Sequence, residues 1–240
     1  MKKFITMIAF VALSTVSAAA VEMPSLGIFS VTAGIAQNTG VYGATATEQG
    51  QDNTGVDDAK KKNKESGVFQ DSFGSQFIEL GIGQWISVGY EHTPDSLSTP
   101  TNTSREGNAS GENNVSVDFN DLNTTYVKLN LPVLTGAYLK AGSVDTDLDI
   151  KETMGTGSTY KNVSTSGSVV GAGYASYLGD TGFGIRFETT YLELDNVSTD
   201  NGIAKGTTTT LNAQTANRVD ASNIEGLQGK IALTYTFGRD

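Results

Sequence analysis

Apolar and polar residues alternate with period two in segment after segment of this chain, and every second connection between the segments is short. In Leu227 to Phe237 one parity reads Leu227, Gly229, Ile231, Leu233, Tyr235, Phe237 and the other Gln228, Lys230, Ala232, Thr234, Thr236. A strand turns successive side chains to opposite faces, so one face is greasy and the other polar or small. Ile185, Phe187, Thr189 and Tyr191 oppose Gly184, Arg186, Glu188 and Thr190 in the same way. So do Val127, Leu129, Leu131 against Tyr126, Lys128, Asn130, and Ile78, Leu80, Ile82 against Phe77, Glu79, Gly81. The pattern predicts eight strands, over 26–46, 68–82, 85–92, 115–131, 137–152, 161–177, 183–195 and 222–237. Tight connections at Gly83-Gln84, Pro132 to Gly136 and Leu178 to Gly182 alternate with polar stretches near 47–67, 93–114, 153–160 and 196–221. That is the connectivity of an antiparallel up-and-down barrel with short turns at one end and long loops at the other. Pro24, Pro94, Pro100 and Pro132 all fall outside the predicted strands, where they remove no ladder hydrogen bond. The first strand is the loosest: Gly34, Gly40 and Gly43 each mark a candidate bend, and its parity is open to a switch near Asn38–Gly40.

Alternation alone does not say which parity faces in. Three features favour a barrel with lipid outside. Glu79, Glu91, Lys128, Lys140, Arg186, Glu188 and Lys230 fall on the polar parity of different strands, so in a membrane barrel they meet in the lumen. Four bases and three acids then pair for the most part, with one base left to find loop acids or water. Trp85, Tyr177, Phe183, Tyr235 and Phe237 cluster near the turn ends, as an interfacial girdle does. Finally, no strand shows the strongly apolar lumen set that a soluble ligand-binding barrel needs. In hydrocarbon each unpaired N–H or C=O costs several kcal/mol, so the sheet must close.

Residues 1–20 read as a secretory signal: basic Lys2-Lys3, an apolar run from Phe4 to Leu13, and small residues at Ala18-Ala19-Ala20. Residues 21–240 then form one barrel domain. After residue 20 no apolar run approaches the ~18 residues a spanning helix needs. The absence of cysteine excludes disulfides, Cys-held zinc and thiol chemistry, and a lone histidine excludes a multi-His metal site. A net charge of −10 speaks against nucleic acid as a partner.

The last strand resembles the C-terminal insertion signal of bacterial outer-membrane barrels. Lys230, Tyr235 and Phe237 match its polar, hydrophobic and aromatic positions, and Ala232 stands where that family usually has Gly. Val170 to Tyr177, a Gly/Asp turn and Gly182 to Glu188 are similar to the third hairpin region of small barrels of the OmpA/OmpX type. The resemblance implies an integral protein of the bacterial outer membrane, inserted by the barrel-assembly machinery and monomeric, with buried acid–base pairs that plug the lumen and rearrange to gate it.

The functional expectation is a structural or surface-interaction protein with a narrow or plugged lumen. The alternative is a porin-class channel for passive passage of small solutes, and behind both stands a lipid-modifying barrel enzyme using His92 beside Glu91. No catalytic residue, metal or cofactor is assigned. Asp145, Asp147 and Asp149 lack the Gly and Glu of a calcium loop and read as a solvated strand extension, with a divalent bridge to outer lipid as the alternative. Lys60-Lys61-Lys62-Asn63-Lys64 reads as a loop tip, with contact to anionic headgroups as its alternative. The expected partners are outer-membrane lipid and, through the Ser/Thr/Asn/Gly-rich loops, a surface ligand or phage.

Overall fold

A computed structural model of the chain describes residues 26–51, 56–104, 112–154, 159–204 and 216–238. The expected signal segment 1–20 lies outside the described residues. Eight long strands make one antiparallel sheet: β1 Phe29–Gln51, β2 Asp57–Ile82, β3 Ile86–Thr93, β4 Asn113–Asn130, β5 Ala137–Met154, β6 Val163–Tyr177, β7 Phe183–Leu194 and β8 Asn217–Phe237. Each pairs with its neighbours in chain order, and β1 pairs with β8 from Val31↔Phe237 to Gly50↔Asn217, closing the ring. Three short strands sit at the loop end. Leu97–Ser98 and Asn102–Ser104 pair with β4, and Val197–Asp200 pairs with β8.

The faces divide by parity. Leu129 and Leu233 on the outside are 44% and 48% exposed, while Lys128 and Arg186 on the inside are 7% and 3% exposed. Ile78, Leu80, Ile86, Val88, Val127, Leu139, Val170, Phe187, Leu227 and Ile231 continue the outward apolar belt around the ring. An apolar surface on every side of the cylinder matches hydrocarbon, and closure leaves no backbone polar group to it. Trp85, Tyr177 and Phe183 are exposed at the turn end of the belt, and Tyr235 packs edge-on against Phe183 and Phe237 at ring separations of 4.8 and 4.5 Å.

The structure corrects three expectations. The stretch 47–67 is not a loop for most of its length: β1 runs to Gln51 and β2 begins at Asp57, so the Lys60–Lys64 run lies on a strand. Continued pairing with β1 holds these polar residues extended above the belt. The first strand keeps its register with β2 from Phe29 to Gln49, so no parity switch occurs at Asn38–Gly40. The slip lies instead between β1 and β8, at Gly43/Thr45, where Asn223 takes a positive φ of 51°. The interior is also not polar throughout. Tyr42, Phe73, Leu97, Leu122, Val144, Val169, Leu192, Leu194 and Ile224 form a buried apolar cluster in its loop-side half. No strand contributes more than two of them, so no single segment shows an apolar lumen set.

Candidate functional site

Seven ionic side chains project inward from six strands. Glu79 comes from β2, Glu91 from β3, Lys128 from β4, Lys140 from β5, Arg186 and Glu188 from β7, and Lys230 from β8. All are 1–7% exposed. The structure brings the seven sequence-predicted lumen residues together in two linked groups.

In the first group Glu79 receives everything. Arg186 donates from Nη1 to Oε1 at 2.6 Å and from Nη2 to Oε2 at 2.8 Å, the bidentate geometry that suits guanidinium and carboxylate. Lys128 Nζ donates to Oε2 at 2.5 Å and the Tyr126 hydroxyl to Oε1 at 2.9 Å. The base left over by the count of charges shares Glu79. Its excess positive charge is met by ring faces, with the Arg186 guanidinium 4.8 Å from the Phe77 centroid and 5.3 Å from that of Tyr138.

The second group is a neutral square. Lys230 Nζ donates to Glu91 Oε2 at 2.6 Å and Glu188 Oε1 at 3.0 Å, and Lys140 Nζ to the same two oxygens at 3.1 and 3.0 Å. Tyr138 donates to Glu188 Oε2 at 2.8 Å and Thr190 to Oε1 at 3.0 Å. Ser75 donates to Glu91 Oε1 at 2.7 Å and itself accepts from Asn38 Nδ2 at 2.9 Å. Lys140 also sits over the Tyr126 ring at 4.1 Å, which joins the two groups.

Tyr126 and Tyr138 reach these carboxylates because the facing wall is glycine. A Cβ on Gly89 would lie 2.4 Å from the Tyr126 ring, and one on Gly173 would lie 2.3 Å from that of Tyr138. Ionic residues alone did not point to Tyr126, Tyr138, Ser75, Asn38 or Thr190. The signal for the two tyrosines is the repeated Tyr-x-Lys on the polar parity, Tyr126/Lys128 and Tyr138/Lys140.

Where the ionic square meets the apolar cluster there is a pocket of about 20 Å³ lined by Glu91, Thr124, Lys140, Val144, Leu192 and Lys230, among others. That is room for one water. Leu97, 2% exposed, folds in from the loop end to complete the apolar layer.

At the outer rim, the Tyr160 hydroxyl donates to Glu48 at 2.5 Å and its backbone N–H to Glu152 at 2.9 Å, tying the β5–β6 connection to β1. Burial, then Glu48, push the Tyr160 phenol above its usual range. Burial raises Glu152 above the ordinary carboxylate range; the Tyr160 N–H opposes the shift and the Glu48 charge adds to it. A rim pocket of about 410 Å³ is lined by Asp57, Lys161, Asp200 and Arg218, among others, and Asp200 is held below the usual range by the Gly202 N–H and then Lys161.

The remaining candidates lie apart. His92 meets the Asn123 amide oxygen at 2.7 Å, and no serine or acid completes a catalytic arrangement with it among the described residues. Asp145 and Asp147 are exposed and Asp149 is partly so, on one outward face. Ser164 bonds Asp147, and Asn162 bonds Asp149. Among the described residues no group of three His, Cys, Asp or Glu is placed to hold a metal. Ala232, 1% exposed, packs inside with Ala36 and Phe77.

No family model and no curated protein matches the sequence. Solved structures do. The outer membrane protein OprG from Pseudomonas aeruginosa aligns at 9% identity and a TM-score of 0.53, over 87% of this chain and 96% of that one. Outer membrane protein AlkL, solved in lipid bilayers, aligns at 14% identity and 0.44, over 90% and 95%. Ail of Yersinia pestis aligns at 9% and 0.36, over 85% and 99%. The likeness to OprG concerns the fold: this chain is built as a small eight-stranded β-barrel of the outer-membrane kind.

Proposed function

We propose that this chain is an integral outer-membrane barrel with a sealed lumen, whose work is structural or is done by its outer strands at the cell surface. The observation that carries the reading is the closure of the interior around its charges. A conduit exposes the side chains that line it to water, whereas Glu79, Arg186 and Glu188 are 1%, 3% and 4% exposed. An eight-stranded barrel is only wide enough for its side chains to fill. Here two plugs are stacked, an ionic layer and an apolar one. Passage of small solutes needs a continuous wet path, and the stacked layers count against it.

In this reading residues 1–20 direct export. Lys230, Ala232, Tyr235 and Phe237 then present the closing strand to the assembly machinery, and outer-membrane lipid covers the belt. The outer rim, with acids and bases intermixed around Asp57, Lys161, Asp200 and Arg218, is the surface open to a ligand or phage. The test is insertion followed by conductance. The mature protein, purified from the detergent-extracted outer-membrane fraction and confirmed as inserted by heat-modifiable migration, is expected to leave a planar bilayer electrically silent. Steady single-channel currents would replace this reading with the porin-class one, and recovery as a detergent-independent periplasmic monomer would remove both.

A further inference from the structure

Among the described residues, β2 runs well past its neighbour β3 at the rim and leaves one edge without a paired strand. On one side β2 pairs with β1 continuously to Gln49↔Lys62 and, past a register shift, again at Gln51↔Asp57. On the other, β3 pairs only with residues 76–82, because β3 ends at Thr93, before Pro94. The short strands Leu97–Ser98 and Asn102–Ser104 enter this gap but bond their backbones to β4. They reach β2 through side chains, where the Ser98 N–H meets Asp71 at 3.2 Å and Asn102 meets Glu65 at 2.6 Å. β2 is 26 residues long and β4 only 18, so beyond Glu65 β2 outruns the neighbouring wall. Among the described residues no strand pairs with this edge at Ala59 to Lys64.

An open edge is a template for another strand, and a long one invites pairing between copies. The sequence on this stretch is Lys60-Lys61-Lys62-Asn63-Lys64, the densest run of positive charge in a chain of net −10. Lys62 and Lys64 are exposed and form no ion pair with a described residue, although acids abound at the rim.

We propose that this lysine run guards the free β2 edge against pairing with the same edge of a second copy. The inference rests on the membrane-inserted reading, because insertion gives every copy the same orientation. Two barrels that abut through this edge are related by a two-fold axis along the membrane normal. Their β2 strands then rise in the same sense, so the two basic stretches meet at the same height. Like charges on paired strands repel, so the one arrangement the membrane permits is the one the run opposes.

The experiment uses the full-length protein inserted in lipid vesicles, with Asn63→Cys as a reporter in a chain that has no other cysteine. Disulfide-linked dimer is measured after mild oxidation in three backgrounds: wild type, a variant with Lys60, Lys61, Lys62 and Lys64 all changed to Gln, and one with all four changed to Glu. The Gln variant is expected to raise the dimer fraction about tenfold or more. The Glu variant is expected to stay at the wild-type level, since its edge still carries like charge. The Gln change makes an acidic protein more acidic, so non-specific repulsion predicts the opposite sign. Heat-modifiable migration verifies insertion of each variant. A Gln variant as monomeric as wild type, or a Glu variant that dimerises as the Gln variant does, overturns the proposal. Failure of the wild type itself to insert removes the reading beneath it.

Discussion

Arg186 on β7 and Glu79 on β2, 107 residues apart in sequence, meet inside the barrel through two parallel hydrogen bonds of 2.6 and 2.8 Å. The pair spans the ring between strands that are not neighbours in the sheet. Glu79 also answers Lys128 and Tyr126, so it is the single acceptor on which that half of the network depends.

Glu79→Ala leaves two buried cations without a carboxylate, and breaking a buried pair in this way costs about 3–5 kcal/mol. Lys128→Met leaves Glu79 still held by Arg186 and is expected to cost clearly less. Urea unfolding of the protein inserted in lipid vesicles, followed by Trp85 fluorescence, checks the asymmetry. Equal losses would mean that Glu79 is not the hub.

Tyr138→Phe leaves Glu188 Oε2 without its hydroxyl donor, and an unmet buried acceptor costs about 1–3 kcal/mol. Gly173→Val is expected to be worse. A Cβ there would lie 2.3 Å from the Tyr138 ring and 2.5 Å from the backbone oxygen of Phe187, which cannot give way. The readout is the fraction refolded at fixed urea. A Gly173→Val variant as stable as wild type would contradict the close approach of both Tyr138 and the Phe187 backbone to this position.

At the rim, Glu152 is raised above its unfolded value, by burial first. The sign follows from linkage: a carboxyl raised in the folded state takes up its proton there more readily than in the unfolded chain. Its favourable contribution is therefore complete below the ordinary value of 4.5 and is lost as pH rises through the raised one. Amide exchange at Tyr160, whose N–H bonds Glu152, is expected to be better protected in mild acid than at neutral pH, after correction for intrinsic rates. Glu152→Gln should flatten that difference. Protection that falls in acid would reverse the assignment.

Much of this was legible in the sequence, for definable reasons. Strict alternation in 183–195 and 115–131 placed Arg186, Glu188 and Lys128 on one parity before any contact was known, because a strand leaves a side chain only two directions. The partners of those charges were not legible. Glu79 and Arg186 are brought together by ring closure and strand tilt, which no local spacing encodes. The end of β1 past residue 46 and the stretch of β2 before residue 68 were missed because strand extensions above the belt are polar on both faces, so Lys60–Lys64 and Glu48 carry no alternation to read. The apolar layer was missed because Leu97, Phe73, Leu192 and Ile224 come from four separate segments.

Ile231 lies on the outward parity beside inward-facing Lys230 and is 58% exposed. If lipid covers it, Ile231→Arg should cost about 2–4 kcal/mol near the mid-plane in a refolding equilibrium with vesicles. On a water-facing wall the same change is close to neutral.

The central claim is that the greasy parity touches acyl chains while the ionic parity is sealed inside. It is tested most directly by nuclear Overhauser transfer from lipid acyl protons to methyl groups of the protein in lipid nanodiscs. The account predicts strong transfer to the methyls of Leu129, Ile231 and Leu233 and none to those of Ala232 and Thr234. Transfer in the reverse pattern, or water rather than lipid in contact with Leu129 and Leu233, would contradict it.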